Sequence, residues 1–367
     1  MTGPLAFEVV ARDGAARTGR LTLPHGVVET PTFMAVGTRG AVKACTIDQV
    51  LATGTPIVLG NTYHLALRPG AEIVKKAGGL HKFTGWTRNM LTDSGGFQVW
   101  SLSELRKVSE RGVEFRSHYD GALLELTPER SIQIQNDLGA DIIMAFDECS
   151  PYPCPEDVAA AAVARTSRWA ERSRAAHKRD DQALFGIVQG STYLPLREES
   201  ARALVGLEFP GYAIGGLSVG EGHEKMDEVL AHTCPLLPEE KPRYLMGVGT
   251  PRDFLLACAR GVDLFDCVLP TRNARNAQVF TATGHLKLRN ARFREDFTPI
   301  DPECLCYACK NGFSRAYLRH LFNVDEITAL TLATIHNLTF CQDFMKKIRE
   351  AISRGELASF ARDRNVL

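Results

Sequence analysis

A chain of 367 residues can form one large α/β barrel with an appendage, or two ordinary domains. Its 44% hydrophobic and 23% charged residues are ordinary for a globular protein, which excludes extensive disorder, and no run of about 18 apolar residues predicts a membrane span. The 43 basic and 43 acidic side chains cancel, and this balance argues against a general nucleic-acid-binding protein.

The ten cysteines and the N-terminal sequence both favour a cytoplasmic protein. Three cysteines fall within six residues, which is typical of a metal site in a reduced compartment rather than of a disulfide framework. The stretch MTGPLAFEVVARDG has no positive segment followed by an apolar run, so we expect no secretory signal.

The first 35 residues read as short strands. The segments FEVVARDG, RTGRLTLPHG and GVVETPTFMAVG, which begin at residue 7 and end at residue 37, carry turn signals and predict an antiparallel cap at the N-terminus.

From about residue 40, short apolar runs alternate with amphipathic helical segments. The predicted strands lie within 56–61, 89–96, 141–149, 183–190, 212–221, 243–250 and 264–271. The predicted helices are 128–138, 155–177, 196–206, 224–232 and 251–260. Thr127-Pro128 and Thr250-Pro251 are helix-start signals, and Gly139, Gly206 and Gly261 are expected to close helices.

Repeated strand–helix units predict an α/β fold with a parallel sheet, and seven or eight units favour a closed (β/α)8 TIM barrel. An open doubly wound sheet is the alternative, but no G-x-G-x-x-G follows the first strand. The expected organisation is a cap at 1–40, a barrel core at 41–290, and a zinc-binding subdomain with C-terminal helices at 291–367.

Nearly every predicted strand ends in polar or glycine residues. In a (β/α)8 barrel the carboxyl ends of the strands share one mouth, where substrates bind. A single strand-end aspartate is often only a helix cap, but a whole row predicts a polar pocket. The row comprises Asn61, Asp93, Ser94, Gly95, Gly96, Asp147, Glu148, Cys149, Gln189, Gly190, Gly215, Gly216, Gly247 and Asp266.

The stretch 261–278 places a carboxylate, Asp266, inside the apolar run LFDCVL. Burying a carboxylate is costly unless it is paired or hydrogen-bonded. On this stretch alone, Asp266 is either a structural acid or an active-site carboxylate.

A basic region begins just beyond it. Residues 271–320 contain nine Lys or Arg against four Asp or Glu. Such local excess on a neutral chain suits a polyanion bound at one place, although a solvated basic face would have the same composition.

A metal site is predicted from Cys304, Cys306 and Cys309, which form C-x-C-x2-C, with a distant histidine. Three thiolates and an imidazole make a tetrahedral zinc set, and four protein ligands would make the zinc structural. His336 is the expected fourth ligand and His320 its competitor; three unrelated cysteines would be the alternative to a site.

The chain resembles the bacterial type of tRNA-guanine transglycosylase, of the queuine tRNA-ribosyltransferase family, from about residue 7 to 355. The motifs that carry the resemblance are D-S-G-G-F-Q (93–98), A-F-D-E-C (145–149), I-V-Q-G (187–190), G-G-L-x-V-G-E (215–221), L-M-G-V-G (245–249), F-D-C-V-L-P-T-R-x-x-R-N (265–276) and C-x-C-x2-C…H. The resemblance implies a zinc-bearing (β/α)8 barrel with one structural Zn2+ per subunit. It implies a homodimer in which one subunit is catalytic and the other helps to bind tRNA.

The implied activity is exchange of guanine for preQ1 (7-aminomethyl-7-deazaguanine) at the wobble position of tRNAs with a G-U-N anticodon (Asp, Asn, His, Tyr). This exchange is a step in queuosine biosynthesis. By resemblance Asp266 is the nucleophile that holds the tRNA covalently, and Asp93 is the general acid/base. Two carboxylates are the established solution for retaining exchange at a glycosidic carbon, and the base must be flipped out of the loop.

The resemblance also implies the groups that bind the base and the tRNA. Asp147 matches the acceptor for guanine N1–H and the 2-amino group, and Gln189 and the Gly216 N–H match donors to the 6-oxo group. The Leu217 carbonyl, with Glu221 behind that peptide, matches the aminomethyl site, and Met246 and Phe97 would sandwich the base. Val219 and Cys149 follow the bacterial pattern, which takes preQ1 rather than queuine. Arg272 and Arg275 match readers of the flanking bases, and Asn61 a ribose contact.

Two departures and three alternatives remain. Phe97 stands where many members have tyrosine, and 26 residues separate Cys309 from His336, one more than is usual in the family.

A non-catalytic tRNA-binding subunit would lack the catalytic acids, which are present here. A metal-dependent barrel hydrolase would need strand-end ligands, and His64 is the only nearby histidine. Archaeal relatives that act elsewhere in the tRNA carry an additional C-terminal domain.

Overall fold

The protein is described from a computed structural model that covers residues 3–98 and 106–363. Its strands are β1 (Ala6–Asp13), β2 (Ala16–Leu23), β3 (Gly26–Thr30), β4 (Thr32–Val36), β5 (Ile57–Gly60), β6 (Asn89–Thr92), β7 (Arg106–Val108), β8 (Val113–Arg116), β9 (Leu123–Leu126), β10 (Ile142–Met144), β11 (Ala183–Val188), β12 (Gly211–Ile214), β13 (Arg243–Leu245), β14 (Leu264–Cys267), β15 (Gln278–Thr281) and β16 (Gly284–Lys287). The outermost residues of the first and last predicted regions, 1–2 and 364–367, lie outside the described residues.

The α-helices with both ends described surround these strands. They are Ile47–Ala52, Thr62–Leu67, Ala71–Lys76, Leu80–Thr84, Pro128–Leu138, Glu156–Ala176, Leu194–Val205, His223–Thr233, Pro251–Ala259, Leu269–Arg275, Tyr307–Lys310, Arg315–Asn323, Ile327–Arg354 and Leu357–Arg362. In the part of the chain that the structure describes, no helix combines the length and apolar character needed to cross a membrane.

Eight strands close into a parallel barrel in the order β10-β11-β12-β13-β14-β4-β5-β6. Each of the seven predicted strand runs supplies one barrel strand, and the (β/α)8 prediction is confirmed. The predicted helix 128–138 is Pro128–Leu138, capped by the Thr127 side chain, which accepts from the Arg130 N–H. Thr250 caps Pro251–Ala259 in the same way, by accepting from the Asp253 N–H.

The eighth barrel strand, β4, corrects one part of the prediction. Thr32–Val36 was expected in the antiparallel cap, but it pairs in parallel with β14 and β5. All five residues of β4 are buried, whereas only Val28 and Thr30 are buried in β3. A parallel barrel strand is covered on both faces, so TFMAV belongs with the continuous apolar runs.

The antiparallel cap is β1-β2-β3, and it lies on the amino ends of the barrel strands. Arg17 of β2 donates to Asp263, just before β14, from Nε at 3.0 Å and Nη2 at 2.5 Å. Both side chains are buried, and Arg17 also donates to the carbonyls of Glu239 and Lys241. Because the two buried charges pair with each other and Arg17 makes further hydrogen bonds to carbonyls, their burial is tolerated. The ion pair fixes the cap to the barrel.

A second three-stranded sheet, β7-β8-β9, is inserted between β6 and β10 and was not among the predicted elements. The loop between β7 and β8 is held against the helix Glu156–Ala176. Glu110 accepts from Arg168 at 2.7 and 2.8 Å, and the Glu110 carbonyl accepts from Trp169 Nε1 at 2.9 Å. The insertion is therefore anchored to the barrel's helical layer.

The core has two layers. One buried cluster contains residues from every barrel strand, among them Met34, Leu91, Met144, Phe185 and Tyr244. A larger cluster fills the space between strands and helices. Burying one such side chain contributes about 1.5–3 kcal/mol, so the barrel gives a rigid frame for the groups at its mouth.

The long helix Ile327–Arg354 connects the C-terminal region to the barrel. Its fully buried Asn337 donates from Nδ2 to the carbonyls of Pro270 (2.9 Å) and Gln278 (3.1 Å), and accepts from the Phe280 N–H (3.0 Å). This side chain fixes the C-terminal region to the helix that follows β14.

Candidate functional site

Asp266 lies in β14, and its carboxylate reaches the mouth at the carboxyl ends of the strands. Its Oδ1 accepts from the Tyr244 hydroxyl at 2.6 Å and from the Gly247 N–H at 2.8 Å. Desolvation raises the pKa of Asp266 above its ordinary value, while these two donors oppose the shift. Both donors favour the ionised carboxylate, which is the form able to act as a nucleophile.

Asp93 directly follows β6 and is buried. Its carboxylate accepts from Asn61 Nδ2 and, at 2.9 Å, from the Thr62 N–H. Burial raises the pKa of Asp93 to about 7, the negative charge of Asp266 adds to the rise, and the donors Thr62 and Asn61 oppose it.

The two carboxylates form an electrostatically coupled pair, separated around the barrel by β4 and β5. The charge of Asp266 raises the pKa of Asp93, whereas at Asp266 the donors Tyr244 and Gly247 oppose the rise caused by burial. With a pKa of about 7, Asp93 can exchange a proton near neutrality. Divergent environments of this kind assign separate roles to two acids.

A second polar corner is formed by Asp147, which is buried beyond β10. Its Oδ1 accepts from Ser94 Oγ at 2.9 Å, and its Oδ2 accepts from Gln189 Nε2 at 2.7 Å. Burial raises the pKa of Asp147, and both hydrogen bonds oppose the rise. A carboxylate has about four acceptor positions, so Asp147 retains capacity for a ligand's N–H groups.

Gly216 brings backbone close to this corner. Its φ is +67°, and a Cβ at this position would lie 2.5 Å from Gln189 Oε1. Any side chain would displace Gln189, so a glycine is required here for both conformation and space.

The loop after β12 is organised by Glu221. Its carboxylate accepts from the N–H groups of Ser218 (2.5 Å), Val219 (2.9 Å) and Gly220 (3.1 Å). N–H and C=O point in opposite directions in a trans peptide. The Leu217 carbonyl is therefore directed away from the Glu221 carboxylate.

The apolar residues predicted for the pocket have different exposures. Cys149 is buried, and burial raises the pKa of its thiol to about 12, so it is an apolar neighbour of Asp147 rather than a nucleophile. Met246 and Val219 are half-buried, and Phe97 is exposed. All four lie on segments that follow barrel strands.

Five cations near the mouth have no carboxylate within 4.0 Å among the described residues: Arg39, Lys43, Arg68, Arg272 and Arg275. Burial lowers the pKa of Lys43, and the charges of Arg275, Arg39 and Arg272 lower it further. These four cations therefore share one patch, which is an electrostatic footprint for a polyanion.

The remainder of the basic region 271–320 is partly neutralised. Arg289 pairs with Asp325 at 3.1 Å, and Arg315 pairs with Asp296 at 3.0 Å. Two of the nine cations are therefore paired with acids, and the sequence excess overstates the free charge of this region.

Cys304, Cys306, Cys309 and His336 form a group that could hold a metal ion, with their ligand atoms within 4.8 Å of one another. His336 Nδ1 lies 3.4 Å from the sulfurs of Cys306 and Cys309, and Nε2 lies 2.7 Å from the Phe280 carbonyl oxygen. Donation from Nε2 to that carbonyl leaves Nδ1 as the ligand. The donor set and spacing fit a tetrahedral zinc ion, so His336 rather than the exposed His320 completes the group.

Among the described residues, the mouth lacks the group of metal ligands that the hydrolase alternative would need. Within residues 3–98 and 106–363, neither group of potential metal ligands is at the strand ends that carry Asp93 and Asp266. Burial, followed by the charges of Arg39, His118 and Lys43, lowers the pKa of His64 to about 4, which leaves it neutral.

Sequence reasoning missed several residues that shape the mouth. Tyr244 lies within the short strand β13, where a tyrosine gives no sign of a site. Arg39 lies in the loop after β4, and Arg68 follows the helix Thr62–Leu67. Arg197 is fully buried and donates to the carbonyls of Ser191 (2.8 Å), Val188 (3.0 Å) and Gly215 (2.7 Å).

Arg197 thereby ties together the ends of β11 and β12. Burial lowers its pKa to about 10, so it is still charged at neutral pH. The available signal was an arginine on the buried face of a helix; the partners of Arg197 are backbone atoms and cannot be read from side-chain identity.

Comparisons with known proteins agree with these features. The family model for queuine tRNA-ribosyltransferase matches residues 13–366. A queuine tRNA-ribosyltransferase from Desulforamulus reducens is 58% identical over 359 residues, covering 98% of this chain and 97% of the relative. One from Caldanaerobacter subterraneus subsp. tengcongensis is also 58% identical over 359 residues, covering 97% and 96%. One from Moorella thermoacetica is 55% identical over 361 residues, covering 98% and 96%.

Proposed function

Because the chain belongs to the queuine tRNA-ribosyltransferase family, we propose that it exchanges guanine for preQ1 at the wobble position of tRNAs with a G-U-N anticodon. The tRNAs would be those for Asp, Asn, His and Tyr. The observation that carries this proposal is the pair Asp93 and Asp266 at one barrel mouth, with the acceptor Asp147 beside it. Exchange at a glycosidic carbon needs two carboxylates, and a flipped base needs an edge-reading group.

Asp266 is the proposed nucleophile. Its Oδ attacks C1′ of the wobble ribose as the bond from C1′ to guanine N9 breaks, which leaves the tRNA esterified to the enzyme. Support comes from the donors Tyr244 and Gly247, which favour the ionised carboxylate.

Asp93 is the proposed general acid/base. It gives a proton to the departing guanine and later takes the N9 proton of preQ1, whose nitrogen then attacks C1′ and releases Asp266. A pKa of about 7 allows both transfers near neutral pH.

Base recognition is proposed for the polar corner. Asp147 accepts from guanine N1–H and the 2-amino group, while Gln189 Nε2, which has a second hydrogen, and the Gly216 N–H donate to the 6-oxo group. The Leu217 carbonyl, oriented by Glu221, accepts from the aminomethyl group. Phe97 and Met246 stack on the base, and Cys149 and Val219 limit the pocket.

Arg272 and Arg275 are proposed to read the nucleotides on either side of the flipped base, and Asn61 to contact the ribose. The unpaired cations of the mouth, with Arg39 and Lys43, support a bound anionic strand.

The proposed metal is one structural Zn2+ per subunit, held by Cys304, Cys306, Cys309 and His336. Zinc would supply a fixed tetrahedral crosslink. The chain's own contribution is the His336–Phe280 hydrogen bond, which connects this cluster to the hairpin β15–β16.

A cytoplasmic homodimer is proposed, with one subunit catalytic and its partner helping to bind tRNA. None of the ten cysteines is paired in a disulfide, which supports a reduced compartment. Leu305, Tyr307, Tyr317 and Ile327 are exposed apolar residues of the C-terminal region, and such surface favours a protein partner.

Asp266→Asn provides the test. The substitution keeps the shape but removes the nucleophile, so incorporation of radiolabelled guanine into tRNA should fall by at least about 10³-fold while tRNA binding persists. The protein–tRNA adduct on a denaturing gel should disappear. Asp48→Asn, which removes an exposed charge from a helix first turn, serves as a matched control and should exchange normally. Near-normal exchange by the Asp266 variant would mean that this chain breaks the bond by another route.

A further inference from the structure

A second cluster of metal-ligating side chains lies at the opposite end of the barrel. It comprises His25, His81 and Asp141, whose ligand atoms lie within 4.8 Å of one another. Asp141 directly precedes β10, whereas Asp147 follows it, so this cluster faces the amino ends of the strands. The mechanism proposed above uses none of the three residues.

The donors come from three separate segments. His25 is in the turn between β2 and β3, and its Nδ1 lies 2.6 Å from Asp141 Oδ1. His81 is in the short helix Leu80–Thr84, and its Nε2 lies 3.3 Å from Asp141 Oδ2. The two imidazole rings stack with centroids 3.7 Å apart and planes 12° apart, so both present a nitrogen to the same carboxylate.

A carbonyl oxygen adds a fourth possible donor. His81 Nε2 lies 3.0 Å from the Arg88 carbonyl oxygen, with which it now shares its proton. A cation would bind the lone pair of His25 Nδ1 and of His81 Nε2. In a neutral imidazole the proton on that nitrogen moves to the other ring nitrogen, and from an imidazolium it leaves to solvent. Two imidazoles, a carboxylate and a carbonyl suit first-row divalent metals rather than calcium or magnesium.

Among the three acids that line the surrounding cavity, Asp141 is the one without a Lys or Arg partner among the described residues. Its carboxylate is contacted by His25, His81 and the Met90 N–H. The other two acids on the surrounding cavity are already paired: Asp137 with Lys75 at 2.8 Å and Asp181 with Arg179 at 2.6 Å.

The cluster opens to water through a cavity of about 570 Å3 that all three residues line. Asp141 is buried at its base, while the side chain of His25 is 41% exposed. This arrangement gives a cation a route of entry and leaves room for water molecules to complete its coordination. Three protein ligands with open positions differ from the closed Cys3His set.

We propose that His25, His81 and Asp141 bind a first-row divalent cation, of the class of Co2+, Ni2+ and Zn2+, as a second metal site separate from the cysteine cluster. The cation crosslinks the N-terminal cap, the helix Leu80–Thr84 and the start of β10. Because unfolding would disperse residues 25, 81 and 141, binding stabilises the folded protein and leaves the chemistry at the other end of the barrel unchanged.

The test titrates Co2+ into the full-length protein after its cysteine cluster has been filled with zinc. Equilibrium dialysis should show about one Co2+ per chain, without the thiolate-to-cobalt absorption that replacement of the zinc would produce. The thermal midpoint should rise with added Co2+.

His25→Ala should weaken this uptake at least about tenfold and abolish the rise in midpoint. His285→Ala, which removes an exposed histidine of the hairpin β15–β16, should bind Co2+ like the parent. Asp141→Asn provides a second variant that keeps the side chain's shape. If the zinc-filled parent takes up no Co2+, or if His25→Ala binds it equally well, the three side chains are only a hydrogen-bonded support and the proposal is wrong.

Discussion

The hydrogen bond from Tyr244 to Asp266 predicts a measurable shift in the pH dependence of base exchange. Tyr244→Phe removes a hydroxyl that lies 2.6 Å from Oδ1 and leaves the Gly247 N–H, at 2.8 Å, as the remaining donor to that oxygen. Burial and the charge of Asp266 hold the Tyr244 pKa well above 10, so the parent's phenol is a neutral donor throughout the assay range.

The magnitude follows from the energy of a hydrogen bond to a charged group, about 1.5–3 kcal/mol. At 1.36 kcal/mol per pKa unit, loss of this bond raises the pKa of Asp266 by roughly one to two units. Asp266 must be ionised to attack and Asp93, with a pKa of about 7, must be protonated to donate, so kcat/KM should be bell-shaped. Only the acid limb should move, toward higher pH, and the maximum should fall as the two limbs approach each other.

The assay is the pH profile of kcat/KM for radiolabelled guanine entering tRNA. Tyr212→Phe is a matched control because Tyr212 is a buried tyrosine of the neighbouring strand β12 that packs against Phe209 in the outer core. It should lose a hydroxyl without moving either limb. An acid limb at the parent's position in Tyr244→Phe would refute the assignment of that limb to Asp266.

Two further predictions concern the metal and the pocket. Cys306→Ser should lower zinc content well below one per chain and reduce the thermal midpoint by more than about 5 °C, because a structural zinc stabilises the fold directly. Cys154→Ser, outside the cluster, should change neither the zinc content nor the midpoint. Full zinc occupancy in the Cys306 variant would contradict the site. Val219→Gly should let queuine compete with guanine about tenfold better by removing an isopropyl group from a half-buried position. An unchanged queuine inhibition constant, with guanine KM as the internal control, would show that Val219 does not limit the pocket.

The barrel could be predicted because the parallel strands are mostly apolar runs of three to six residues and are followed by polar or glycine residues. The same logic fails for β4, whose five residues follow a genuine antiparallel hairpin without an intervening helix. β4 pairs with β14 and β5 because these two strands would otherwise leave the barrel open between them. The local sequence of β4 does not contain that information. The sheet β7-β8-β9 was missed for a related reason, since its short strands pair only with one another.

Among the candidate site residues, sequence motifs identified the acids but not their surroundings. Asp93 and Asp266 could be selected from strand ends, whereas the pKa of about 7 at Asp93 depends on burial and on the charge of Asp266. The choice of His336 over His320 also required the packing of the long C-terminal helix, which brings Nδ1 to the sulfurs.

The sequence by itself determined the alternation of strands and helices, the polar strand ends, the cysteine cluster and the family resemblance. These features are local, because propensity, capping and short motif spacing act over a few residues. Only the tertiary structure decided which polar groups meet: Tyr244 with Asp266, Arg39 with Lys43 and Arg275, and His25 with His81 and Asp141. Those encounters depend on closure of the barrel, which brings residues far apart in the chain within hydrogen-bonding or Coulombic range.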